Sequence, residues 1–267
     1  MLSNVFVKSL RDACRPMVWW ALGIGLLAAM EIAFFPSIRG NDDFNAMLES
    51  YPDNLMALFG VTELTDITSA VGFLNAELFG LMAPLLFVIH GVVLGSGAIA
   101  GEEGRGTLEI LLTEPITRRK LVAQKFAAMI TNAIFLGLVL WIVLVISALA
   151  IDMGVSVLRL AAITFSTVLL GATFGALAFA AGCISGSRSN SVFIVAAVAV
   201  GTYFLNAASG IVSYMQWAKW MSPFFYYNAA DPLANGLNPT HAAVLLATIA
   251  ILLGAGYAGL QRRDLRL

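Results

Sequence analysis

Glu31, Glu77 and His90 are ionisable side chains set within, or at the edge of, long apolar runs. In such places a side chain can carry a proton, bind an ion or contact a polar solute, so all three are candidates for a substrate path or a gate. No metal set accompanies them. His90 and His241 lie far apart, as do Cys14 and Cys183, which read as free thiols, and the spacing suits no metal. A P-loop needs Gly-Lys-[Ser/Thr]. None of Lys8, Lys120, Lys125 and Lys219 follows a glycine, so ATP is not bound here by that motif. The expectation is a chain that is not an enzyme and holds no cofactor of its own.

The elements that must position these residues follow from composition. Of 267 residues 60% are hydrophobic and 12% charged, and the mean hydropathy is +0.87. An ordinary soluble domain carries about 25% charged residues. A soluble fold could not hide this much apolar surface, so a soluble enzyme, a disordered chain and a disulfide scaffold are all excluded. Apolar runs cover residues 17–35, 76–100, 126–151, 160–184, 191–213 and 241–260. Each matches the roughly 20 residues that a membrane helix takes. Each must be helical, because unpaired backbone in hydrocarbon is too costly. The fold class is therefore all-α, a single polytopic unit over residues 1–267 with six transmembrane helices. The first run is read as a span and not as a cleaved signal peptide, since five more spans need it as the first insertion event.

Charge distribution orients the spans. Of the 15 Lys and Arg residues, 12 fall before span 1, between spans 2 and 3, between spans 4 and 5, and after span 6. By the positive-inside rule these segments are cytoplasmic, with both termini inside. Residues 36–75 and 214–240 are then the outer loops. The first carries Asp42, Asp43, Glu49, Asp53, Glu63 and Asp66; the second is rich in aromatic residues, with Pro223 and Pro232 dividing it into short helices. Residues 1–16 read either as an amphipathic helix on the inner leaflet or as a basic topology signal. Glu31 lies about 21 Å along span 1 from Met17, in its outer third. Glu77 sits at the outer edge of span 2. His90 is near that span's middle, where it could bond a hydroxyl on a neighbouring helix. The pairs Gly91/Gly95 and Gly171/Gly175 mark close helix approach, within the chain in preference to across a dimer.

Residues 101–120, G-E-E-G-R-G-T-L-E-I-L-L-T-E-P-I-T-R-R-K, hold four of the 16 acids and four of the 15 basic residues. Thr107 can cap a short helix after Gly106. Leu108, Leu111 and Leu112 would share one face, and Pro115 would end it. Thr117 can cap the helix that leads into span 3. A short, partly apolar helix held at the membrane surface suits docking into a groove of a soluble partner.

This segment closely resembles the loop between the first membrane hairpin and span 3 of type-2 ABC exporter permeases. Its matching positions are Glu102, Glu103, Gly106, Thr107, Leu108, Glu109, Leu111, Leu112, Pro115 and Arg118. A second resemblance lies in W-M-S-P-F-F-Y-Y-N-A-A-D-P-L at 220–233. The resemblance implies a coupling helix between spans 2 and 3 and a separate ABC ATPase subunit that supplies ATP and Mg. It further implies a second permease subunit, identical or related, and a multi-pass place in the cell membrane. Nucleic acid is not an expected partner. Transport in that family is mostly outward. The competing reading is a secondary transporter or channel that uses Glu31, Glu77 and His90, and a weaker third is a non-transporting scaffold. Both leave the 101–120 segment idle.

Overall fold

The computed structural model describes residues 5–39, 68–108 and 116–263. Those residues form six helices long and apolar enough to cross a membrane, and among them no strand. The first, α1 (Val5–Ile38), continues the N-terminal amphipathic segment directly into span 1 and passes through Pro16 and Pro36. The apolar run ends at Pro36, yet the helix goes on two residues further. Proline in a last turn removes one ladder bond without blocking the residues that follow.

The second span is composite. Ser69 caps α2 (Ala70–Phe73) by accepting from Gly72 N–H at 3.1 Å. A π-helix over Leu74–Met82 follows, and then α3 (Ala83–Ala98). The widened ladder closes where Ala83 N–H bonds Leu78 O, five residues back. The next residue is Pro84, which has no N–H to give. Two outer groups pin the π segment: Tyr227 O–H donates to Phe79 O at 2.8 Å, and Asn75 Nδ2 donates to Asp231 Oδ1 at 3.0 Å.

The chain breaks direction at Ile99 and forms α4 (Ala100–Gly104). Thr117 caps α5 (Arg118–Ala150), accepting from Lys120 N–H at 3.3 Å, in agreement with the capping signal of the sequence. Then come α6 (Val157–Ser185) and α7 (Arg188–Ile211). A 3-10 stretch, Ser213–Met221, is followed by the short helices α8 (Pro223–Asn228) and α9 (Pro232–Asn235). Pro223 and Pro232 each open one of those helices, where a missing N–H costs nothing. The last helix is α10 (Pro239–Arg262).

Helix α6 is the axis of the bundle. Its apolar window is 89% buried, against 11% for α7 and 22% for α1 and α10. Glycines let α3 lie against it. A Cβ on Gly171 would fall 2.7 Å from Phe87 O, and one on Gly175 would fall 3.1 Å from Gly91 O. The two small-residue pairs therefore pack on each other within one chain. Gly186 has another duty. It ends α6 at φ +66°, a left-handed conformation that only glycine adopts without strain.

Candidate functional site

Charged side chains collect at the end of the bundle where both described chain ends meet the start of α5. Val5 N–H donates to Gln124 Oε1 at 3.1 Å, and Arg118 Nη1 donates to Leu260 O at 2.8 Å and Arg263 O at 3.1 Å. Between these ties lies α4 with its two acids, which point in different directions.

Glu102 is 5% exposed. Its Oε1 lies 2.5 Å from the Lys125 ammonium and 3.8 Å from that of Lys8. Its Oε2 accepts from the Thr107 hydroxyl at 2.9 Å, and its backbone carbonyl accepts from the same hydroxyl at 3.1 Å. Burial pushes the Glu102 carboxyl up. The Lys125 hydrogen bond and charge, the Thr107 hydroxyl and the Lys8 charge outweigh that and leave it below the usual carboxylate range. Lys125 is equally buried, so the pair is desolvated on both sides. Such a pair survives only when each charge keeps its partner.

Glu103 instead binds the Arg263 guanidinium, whose Nη1 also donates to Cys183 O at 3.1 Å. That guanidinium lies against Gly186, where a side chain would displace it. One acid thus ties α4 to the chain start and to α5; its neighbour ties α4 to the chain end and to α6.

The other residues of the 101–120 pattern take these places. Gly106 is exposed at φ +70° and turns the chain after α4, its N–H bonded to Glu103 O at 3.0 Å. Thr107 spends its hydroxyl on Glu102. Leu108 is 3% exposed and packs in one apolar cluster with Val5, Ile99, Leu121 and Val122. Arg118 is half-buried on the C-terminal carbonyls. Glu109, Leu111, Leu112 and Pro115 lie outside the described residues. The structure thus brings Glu102, Glu103, Thr107, Leu108 and Arg118 into one inward-facing brace. Lys8, Lys125 and Arg263 complete it. The sequence marked them only as topology signals, although an acid at the close of one span and a base at the opening of the next are well placed to meet.

The intramembrane candidates are not gathered in one place. Glu31 on α1 is half-buried and feels the like charge of Glu77, which is exposed on the π-helix. His90 lies 13 residues beyond Glu77, about 20 Å along the span. It is 1% exposed, and its ring stands edge-on to Trp20 at 5.2 Å. The hydroxyl partner expected for it is missing: among the described residues neither ring nitrogen has a hydrogen-bond partner.

Among the described residues, a helical bundle with six helices long and apolar enough to cross a membrane defines a polytopic membrane protein. Residues 3–265 match the family described as ABC-2 family transporter protein, and the chain belongs to that family. It is thus a membrane transport component of an ABC transporter, a system in which an ATPase subunit takes part. No curated protein matches the chain.

Proposed function

We propose that this chain is the permease subunit of an ABC exporter. It forms the translocation path in the cell membrane with both termini in the cytoplasm, pairs with a second permease subunit, and couples to a separate ATPase that holds ATP and Mg. The coupling element is the segment 101–120, whose residues Glu109, Leu111, Leu112 and Pro115 are proposed to take part in coupling to the ATPase. The observation that carries this reading is the brace around α4. Glu102 and Glu103 fix the root of the segment to α5, to α6 and to both chain ends, so a push on the segment is delivered to several helices at once. A lever needs a rigid root; a plain connecting loop does not. The positive-inside count supports the orientation, with 12 of 15 basic residues on that side.

A secondary transporter running on Glu31, Glu77 and His90 has less support. His90 is separated from the acidic pair by about 20 Å, too far for a direct proton step. The test is co-expression with a candidate ATPase from the same genome, followed by capture and an ATPase assay in liposomes. The reading expects a stable complex whose ATP turnover depends on this chain and persists when the proton gradient is collapsed. No complex, or flux abolished by the uncoupler alone, would favour the secondary-transporter reading.

A further inference from the structure

Helices α1 and α5 touch at the braced end through Val5 with Gln124, beside the Lys8 contact with Glu102 of α4. They close again further along, where a Cβ on Gly25 would lie 3.5 Å from Val143 Cγ2. Along this stretch the two helices flank a groove of about 820 Å³. Its walls include Val18 and Leu22 on α1, and Phe135 and Val139 on α5. The polar side chains in the lining are already used. Thr131 Oγ1 donates to Ala127 O at 2.9 Å, Asn132 Nδ2 to Ala128 O at 2.8 Å, and Cys14 Sγ to Leu10 O at 3.2 Å. The groove thus offers hydrocarbon contacts and repels polar solutes. Its lining on α1 runs from Leu10 to Leu26, about 24 Å at 1.5 Å per residue. One leaflet supplies about 15 Å of hydrocarbon, half the roughly 30 Å core.

The end of the groove nearest the brace is basic. Arg11 and Arg15 stand seven and three residues before Val18, on the same helical stripe, and both are exposed. Among the described residues neither joins an ion pair, whereas the acid beside them, Asp12, is engaged by Lys8 at 3.5 Å. Arg119 and Lys120 are exposed at the start of the facing helix. An apolar trough longer than one leaflet's hydrocarbon, headed by cations that join no ion pair among the described residues, matches one kind of molecule.

We propose that this groove binds one anionic phospholipid, with an acyl chain along Val18, Leu22, Phe135 and Val139 and the phosphate at Arg11 and Arg15. The site does not depend on which ATPase the chain serves. Basic residues at a membrane surface gain about 1 kcal/mol each from anionic lipid, so two supply roughly 30-fold preference.

The chain carries its own reporter. Cys14 is exposed and lines the groove, while Cys183 is buried. The full chain is reconstituted in phosphatidylcholine vesicles with or without phosphatidylglycerol, and the reaction of Cys14 with neutral N-ethylmaleimide is timed. Phosphatidylglycerol is expected to slow the reaction about fivefold, a conservative share of that 30-fold preference. The slowing should vanish in Arg11→Gln/Arg15→Gln, and also in Val139→Trp, which fills the groove and keeps both arginines. Equal rates in the two lipids would overturn the proposal, as would slowing that survives either variant. Slow labelling in both lipids together with a Cys14–Cys14 crosslink would overturn it too, by placing a second copy of the chain over the groove.

Discussion

The Lys125 ammonium lies 2.5 Å from the Glu102 carboxylate, and each residue is only 5% exposed. This contact joins the root of the 101–120 segment to the first turns of α5. Because both charges are out of water, removing one strands the other. Glu102→Gln or Lys125→Met alone should destabilise the chain by about 3–5 kcal/mol. The double variant, which leaves no buried charge unpaired, should recover most of that loss. Thermal unfolding in detergent, read as the coupling energy of the four-variant cycle, checks this. A double variant no better than the sum of the singles would refute the pairing.

The same carboxylate sets an acid limit on stability. Glu102 titrates below the usual carboxylate range in the folded chain, and an unfolded glutamate titrates at about 4.3. Its contribution is therefore fully present above about pH 4.3 and is lost as pH falls through the depressed folded value. Melting temperature should show no Glu102-dependent change from pH 7 to pH 5 and a drop below about pH 4.3. In Glu102→Gln that part of the acid drop should be absent. Identical acid limbs in the two proteins would contradict the assignment.

Close packing of α3 on α6 predicts a contrast between two glycines. Gly171→Ala would set a methyl 2.7 Å from Phe87 O, a backbone atom that cannot step aside without moving α3. The loss should be about 1–3 kcal/mol. Gly97→Ala meets nothing within 4 Å and should be neutral, or more stable by up to about 1 kcal/mol through helix propensity. Paired melts of the two variants decide it, and equal effects would speak against the interlocked pairs.

His90 has two buried ring nitrogens that find no hydrogen-bond partner among the described residues. If its place is only structural, replacing it by an apolar residue removes two unsatisfied polar atoms. His90→Leu should then leave stability unchanged or raise it by about 1 kcal/mol. Retained folding with lost transport would assign the side chain to the translocation path. Failure to accumulate in the membrane would mean that its contact with Trp20 is needed for insertion.

Much of the bundle was legible in the sequence, because lipid leaves a chain few choices. Every apolar run had to be a helix, and each of the six runs lies mostly in one of six helices, with 76–100, 126–151 and 191–213 running past their helix ends at Ala98, Ala150 and Ile211. Thr117 announced the start of α5 by a local hydrogen bond that depends on neighbouring residues alone. Gly91, Gly95, Gly171 and Gly175 announced a close approach by their size. The π-helix was not legible. Leu74–Met82 has the composition of any apolar helix, and its widened turn is held by Tyr227 and Asp231, about 150 residues away. The brace was half legible: Glu102 and Glu103 stood out in a chain poor in charge, but their inward direction did not. A positive-inside count treats Lys8, Lys125 and Arg263 alike as solvated charges, whereas tertiary packing buries Lys125 and sets Lys8 and Arg263 on the two acids.

Glu109 tests the proposed coupling segment most directly. The chain is reconstituted with its ATPase, and ATP turnover and complex capture are measured for wild type and Glu109→Arg. Glu109→Arg is expected to fold with normal melting, to be captured more weakly and to slow coupled turnover several-fold, because the proposed coupling segment would present the wrong charge. Unchanged capture together with unchanged turnover would contradict it.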